Sequence, residues 1–310
     1  MSSQPRLLIT MGDVAGIGPE IIVRAWPELT RFCTPTVIGD RAWLDRAQKL
    51  VSGPLAIPCD TPEIPELSGV RVGQISAAAG RAAYEFLREA IRRTLAGNAD
   101  AIVTCPLHKE ALHAAGVPYP GHTEILAAET GARRHAMLLF GDNIAVAHVT
   151  LHVALRDAVA RISTEGVRNA VALLDDIGPK LIGRRPRIAV CGLNPHASDG
   201  GLFGDEEARI IAPAVERARI GGLNVTGPLP ADAAWVRAAA GEFDAVVAMY
   251  HDQGHIAMKL RSGRRAVNIT AGLPFVRTSV AHGTAFDIAG RGVADPTSLI
   301  EACRVAVRLI

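Results

Sequence analysis

Four short runs of β-branched and other apolar residues constrain this chain most: "DAIVTCP" (100–106), "IAVAHVT" (144–150), "RIAVCGLNPH" (187–196) and "DAVVAMYHD" (244–252). Runs this short and continuously apolar suit strands buried on both faces, the condition of a parallel sheet covered by helices. Longer amphipathic segments lie between such runs. In "SAAAGRAAYEFLREAIRRTLAGNAD", Ser76 can cap, and Ala83, Leu87, Ala90, Ile91 and Leu95 form an apolar stripe that Gly97 follows, which predicts a helix over about 77–96. The alternation predicts an α/β fold. Each run also leads into reactive side chains: Lys109 lies beyond the first, His152 beyond the second, and His196 and His251 at the ends of the others. Ligands of open α/β sheets bind outside the carboxyl ends of the strands, so these groups point to one site.

At 310 residues the chain exceeds what one core usually serves, since cores seldom grow beyond roughly 250–300 residues, and two domains are expected. Hydrophobic residues at 49% and charged residues at 21% give material for a core and exclude a disordered chain. Aromatics are only 4% while glycine and alanine are plentiful, so helices are expected to meet the sheet through small side chains. A net charge of +2 without a basic block argues against nucleic acid. "RLLIT" (6–10) is too short for a signal-peptide core, and no stretch nears the ~18 apolar residues of a membrane span. Cys33, Cys59, Cys105, Cys191 and Cys303 are scattered with no CxxC pair, which suits a reducing cytoplasm rather than disulfides or a thiolate zinc site. Pro/Gly-rich stretches at 53–69, 116–121 and 178–186 read as loops.

His152, His196 and His251 each follow a separate strand and could converge on a metal; three imidazoles suit zinc better than magnesium. A lone histidine is ordinarily a hydrogen-bonded or surface residue, and it is the matching strand ends that favour the metal. "HDQGH" has the spacing of a zincin helix between His251 and His255, but its glutamate is missing and Gly254 disfavours a helix. "MGDVAGIGPEI" (11–21) follows a strand and opens a helix at Pro19, but lacks the GxGxxG spacing, and a structural turn is its ordinary reading. "PGHTEI" puts His122 and Thr123 at a helix start, where a Thr cap and free N–H groups favour an anion as readily as they make a plain cap. Lys259, Asn268 and Arg277 stand in apolar, strand-like contexts where a cation needs a partner, either a bound anion or an internal carboxylate.

"HGTAFDIAG" (282–290) resembles the adenosine-binding loop of the isocitrate and isopropylmalate dehydrogenases, which makes His282, Gly283, Thr284, Ala285 and Asp287 candidate cofactor contacts. Taken in order, "GDVAGIGPEI", "CPLHKEALHAAGVPYPGHTE", "TLHVALRD", "CGLNPHASDGG", "GPLPAD", "MYHDQGH" and "NITAGLPFVRTSVAHGTAFDIAGRG" resemble the 4-hydroxythreonine-4-phosphate dehydrogenase family over about residues 7–300. The resemblance implies two α/β/α lobes around a cleft, as in the isocitrate and isopropylmalate dehydrogenases. The cofactor-side lobe would comprise 1–124 and 272–310 with both termini, and a metal, substrate and dimerisation lobe 125–271. It implies His152, His196 and His251 as metal ligands in a site shared across a homodimer, and His122, Thr123, Lys259, Asn268 and Arg277 as substrate contacts. Asp232 and Lys109 match polar residues near the metal and are candidates for relaying a proton.

The implied cofactors are NAD and a divalent metal, zinc first, with magnesium, cobalt or manganese as alternatives. The implied reaction oxidises the 3-hydroxyl of a small phosphorylated four-carbon hydroxy acid and decarboxylates the β-keto acid. Members in vitamin B6 biosynthesis typically read "HDQGL", whereas this chain has His255, and "LFG" (202–204) also resembles the branch acting on 4-phospho-D-threonate or 4-phospho-D-erythronate. Relatives acting on dihydrodiol dicarboxylates lack the "GHTE" present here. The rival classes are that dihydrodiol dehydrogenase, a metal hydrolase, which leaves "HGTAFDIAG" unexplained, and a non-catalytic binder of phosphorylated metabolites.

Overall fold

The structure, a computed structural model, describes residues 4–51, 55–132 and 135–310. Its strands are β1 (Arg6–Thr10), β2 (Thr34–Ile38), β3 (Cys59–Asp60), β4 (Ala101–Thr104), β5 (Ala136–Gly141), β6 (Ile144–His148), β7 (Ile188–Cys191), β8 (Val225–Leu229), β9 (Ala245–Ala248), β10 (Val267–Ala271) and β11 (Val276–Val280). The helices are α1 (Gly18–Leu29), α2 (Arg41–Val51), α3 (Ala77–Leu95), α4 (Lys109–Ala114), α5 (His122–Thr130), α6 (Leu155–Arg161), α7 (Thr164–Ile182), α8 (Ala212–Ile220), α9 (Ala231–Ala239), α10 (His251–Ser262) and α11 (Thr297–Leu309). All four apolar runs are strands, and β4, β7 and β9 are buried at every position. None of the described helices is long and apolar enough to cross a membrane.

The chain divides into a terminal unit, Met1–His135 with Val267–Ile310, and an inner unit, Ala136–Ala266. In the terminal unit the strand order is β3-β2-β1-β4-β11-β10, parallel except for the antiparallel pair β10–β11. In the inner unit it is β5-β6-β9-β7-β8, parallel except for β5–β6. Helix α5 stays whole within the terminal unit, past the boundary at 124/125 that the sequence suggested.

Small residues set the helix packing. Helix α3 begins as expected, with Ser76 accepting the Ala79 N–H, and touches α4 backbone to backbone: a Cβ on Gly80 would lie 2.1 Å from the Ala111 carbonyl oxygen. Gly80→Ala is therefore expected to cost at least ~2 kcal/mol, because α4 must move, and to lower the urea midpoint without changing the slope of the transition.

Local expectations fail where glycine serves packing. The loop expected at 178–186 is helical to Ile182, and Gly178 leaves room for Pro186, whose Cγ would lie 2.5 Å from a Cβ there. The segment holding His255 and Lys259 is helical, not strand-like, and Gly254 does not break it. Gly254 is where α10 meets β6: a Cβ would stand 2.3 Å from His148 Nε2 and 2.9 Å from Val146 Cγ1. Of the loop expected at 53–69, the first two residues lie outside the described ones, and strand β3 falls within it. Thr123 does not cap α5; Gly121 holds the N-cap position without a side-chain cap bond.

Candidate active site

In the inner unit, imidazoles gather where β6 and β9 end. His251, the first residue of α10, lies 5.7 Å, ring centre to ring centre, from His152, and both line a cavity of about 480 Å³ with Leu151, Tyr250 and Asp252. Asp252 Oδ1 sits 2.6 Å from His251 Nδ1, which places a proton on Nδ1 and leaves Nε2 bare as a ligand nitrogen. Two further histidines, not singled out as ligands, back this pair. His255 stacks on His251 at 3.7 Å and 9°, and its Nδ1 is 3.1 Å from His148 Nε2. Burial, then neighbouring imidazoles, push His148 down to about 3 and His255 to about 4, so both rings are neutral at physiological pH.

His196 stands on its own loop. Residues His196, Ala197, Ser198 and Asp199 all have left-handed φ between 48° and 70°, a conformation that L-residues hold only when their surroundings impose it. The constraint is Glu207, whose buried carboxylate accepts from Leu193 N and Asn194 N at 2.7 Å each, from Asn194 Nδ2 at 2.9 Å and from the Ser198 hydroxyl. Burial works against the charge on Glu207, and the Ser198 and Asn194 hydrogen bonds outweigh it and hold the pKa below its ordinary value. A buried glutamate at "GDEEARI" was the overlooked sign of this anchor. His196 itself is exposed, edge-on to Phe203 and 3.9 Å from Asp199. Among the described residues no group of three His, Cys, Asp or Glu is placed to hold a metal ion, so the expected trio is not gathered within one chain. The pair that does meet, His152 and His251, has the donor chemistry zinc or cobalt takes. Asp232, in the first turn of α9, and Lys259, on α10, are both exposed.

In the terminal unit the central feature is Arg277 on β11. Only 3% exposed, its guanidinium donates to Thr270 Oγ1 at 2.8 Å and Thr104 Oγ1 at 2.6 Å, while its buried Nε has no partner. Among the described residues no carboxylate lies within ion-pair distance, and burial pulls its pKa down to about 9. Of the two partners the sequence left open, the internal carboxylate is not found among the described residues. Burial, and then the charge of Arg277, push His122 well below its ordinary pKa. Beside His122 stands Thr123 in the uncapped first turn of α5, and Lys109 Cε comes within 3.9 Å of the Cβ position of Gly121. Asn268 on β10 donates to the Val280 carbonyl at 3.1 Å. Thr104 and Thr270, at the carboxyl ends of β4 and β10, escaped notice because a strand threonine has no distinctive pattern.

His122 also sets a pH dependence. An unfolded histidine titrates near pH 6.5 and the folded one far lower, so below that value the unfolded chain binds the extra proton and stability falls with acidification. His122→Gln is expected to flatten the fall in melting temperature between pH 6.5 and 5, by up to one proton's worth or about 1.4 kcal/mol per pH unit.

The loop carrying His282, Gly283, Thr284, Ala285 and Asp287 rests on "MGDVAGIGPEI". Ile17 N donates to the Thr284 carbonyl at 3.0 Å, and the Glu20 carboxylate accepts from Gly290 N at 2.5 Å and Gly292 N at 2.9 Å. Gly283 and Asp287 face solvent, and a Cβ on Gly283 would meet nothing within 4 Å. Phe286 stacks on His108 at 4.9 Å, and nearby His108 Nδ1 and Asp13 Oδ2 are buried without partners. Burial raises the Asp13 pKa. A larger cavity of about 780 Å³ beside α3 carries Arg81, Arg88 and Arg92, all paired with glutamates, so it offers an anion no free charge.

Residues 31–306 match the family described as "Pyridoxal phosphate biosynthetic protein PdxA". The chain belongs to the PdxA family. Among its PdxA-type relatives, a D-threonate 4-phosphate dehydrogenase of Cupriavidus necator is 47% identical over 330 residues, covering 98% of this chain and 97% of that protein. The crystal structure of a 4-hydroxythreonine-4-phosphate dehydrogenase from Klebsiella pneumoniae superposes with a TM-score of 0.88 at 41% identity, covering 99% of both chains. A terephthalate 1,2-cis-dihydrodiol dehydrogenase from Burkholderia xenovorans superposes with a TM-score of 0.67 at 34% identity, covering 98% of both.

Proposed function

We propose that this chain is an NAD- and divalent-metal-dependent dehydrogenase that oxidises the 3-hydroxyl of a phosphorylated four-carbon hydroxy acid, with decarboxylation of the β-keto acid, D-threonate 4-phosphate being the first candidate. The observation that carries it is Arg277, a buried cation with hydroxyl neighbours, an unpartnered Nε and, among the described residues, no carboxylate in ion-pair reach. A bound anion completes that environment, and a phosphate or a carboxylate suits its paired donors; the choice of phosphate rests on the relatives. The relatives named as acting on phosphorylated substrates are the more similar ones.

In this reading Arg277 and the uncapped turn of α5, with His122 and Thr123, grip the anionic end. Neutral His122 donates or accepts a hydrogen bond there without adding a second buried charge. Asn268 orients the substrate, exposed Lys259 adds positive charge, and Lys109, beside the start of α5, relays the proton, with Asp232 as the other candidate. His152 and His251, with His196 from a second copy of the chain, would hold the metal; a ligand set divided within a homodimer would account for the lack of a third donor among the described residues of one chain. When bound, a divalent ion supplies Lewis acidity toward the substrate hydroxyl and the charge that develops on its oxygen. A nicotinamide, when bound, would supply the hydride acceptor. The solvent-facing crest at Gly283 and Asp287, with the orphan atoms of Asp13 and His108 behind it, suits a ligand rich in hydroxyls and amides.

The test follows NADH absorbance with zinc- or cobalt-loaded protein and 4-phosphohydroxy-L-threonine, 4-phospho-D-threonate, 4-phospho-D-erythronate and a dihydrodiol dicarboxylate in turn. Preference for 4-phospho-D-threonate is expected. Equal turnover of the dicarboxylate would overturn the phosphate assignment, and phosphate release without NAD reduction would make the protein a hydrolase.

A further inference from the structure

His148 and His255 are absent from the expected ligand set, yet the His255 ring lies nearer to His251 than the His152 ring does, 3.7 Å against 5.7 Å, and His148 Nε2 stands 3.1 Å from His255 Nδ1. His255 lies one helical turn after His251, and its ring covers the His251 ring face to face at 3.7 Å. An apolar side chain could fill that space. What it could not do is fix the ring plane, and here the fixing contacts are explicit: His255 Nδ1 is 3.2 Å from the His251 carbonyl oxygen and 3.1 Å from His148 Nε2. A carbonyl only accepts, so the proton belongs on His255 Nδ1, shared toward His148 Nε2. The second nitrogen of His148, Nδ1, is then left buried with no partner. An unpaired buried nitrogen is costly to keep, and a leucine at 148 would remove that cost. Gly254 adds a second constraint, since any Cβ there would collide with His148 Nε2, so the helix is shaped around this imidazole.

We propose that His148 and His255 are a positioning pair that locks the ring plane of His251 for metal ligation. His251 is then clamped twice: Asp252 at Nδ1 fixes its tautomer, and the His255 face, itself pinned by His148, fixes its rotation. Neither ring of the pair is a ligand, and neither touches substrate. The inference rests on the reading that His251 binds the metal.

The experiment measures zinc affinity of the full-length protein by competition with a chromophoric chelator, together with the visible spectrum of the cobalt-loaded protein. The variants are His255→Leu, His148→Leu, the double variant and, as a control, His251→Ala. Loss of an outer contact to a ligating histidine typically loosens metal binding 10- to 100-fold, and each single variant is expected to fall in roughly that range. The double variant is expected to be no weaker than His255→Leu alone, because His148 acts through His255. The cobalt spectrum is expected to change with His255→Leu, which a merely structural role would not produce. The single variants are read separately, so poor folding of one leaves the other informative. Parental affinity and spectrum in both, with zinc lost in His251→Ala, would overturn the positioning role alone. Parental affinity in His251→Ala would remove the ligand reading, and the inference with it.

Discussion

Arg277→Met is expected to leave the ligand-free protein at least as stable as the parent while raising the KM for the phosphorylated substrate roughly 100- to 1,000-fold. The two effects have opposite signs because the guanidinium is poorly provided for in the empty protein. It is 3% exposed, bonded to two threonine hydroxyls, unpartnered at Nε, and its pKa is drawn down to about 9 by burial. Methionine fills similar length with no charge to desolvate, and replacing a buried ionic group by an apolar one is often neutral or stabilising. An arriving phosphate, by contrast, makes charge-assisted, bidentate bonds. Removing one partner of such a buried pair costs about 3–5 kcal/mol, and each 1.4 kcal/mol is a factor of ten. Melting temperature with and without inorganic phosphate, beside the KM, separates the terms: phosphate should stabilise the parent and not the variant. A lower melting temperature in the variant without phosphate would make Arg277 a strut for Thr104 and Thr270, and an unchanged KM would put the anion elsewhere.

Mixing two inactive variants is expected to restore activity. His196→Ala and His251→Ala should each lose metal and at least ~1,000-fold in kcat, since each removes a ligand of the ion that polarises the hydroxyl. If each site takes His196 from one subunit and His251 from the other, a mixed dimer holds one site lacking both ligands and one intact site. Random pairing then returns about a quarter of the parental activity. The structure motivates this through what it leaves apart: His152 meets His251, while His196 is held on a left-handed loop by Glu207, and no three donors assemble among the described residues of one chain. A mixture as inactive as its components would place all three ligands in one chain, and metal content alongside activity shows whether the rescued fraction carries the ion.

Much of the scaffold was legible in the amino-acid order because its signals are local. Each apolar run became a strand, and the 77–96 helix began at its serine cap and ended within a residue of the expected position. Strand burial and helix periodicity repeat within a few residues, so no distant contact is needed to read them. Tertiary structure decided the meaning of the glycines and of the charges. Gly178 and Gly254 look like breakers in isolation, yet they are sites where Pro186 and His148 come too close for a Cβ. Arg277 could have had an internal carboxylate or none; only the folding of β4, β10 and β11 side by side gave it threonines and left Nε unpaired. The sequence therefore determined which residue types arrive at the strand ends. Their partners were decided by folding, because a hydrogen bond or a stacked ring depends on approaches of a few ångströms between segments as far apart as His148 and His255.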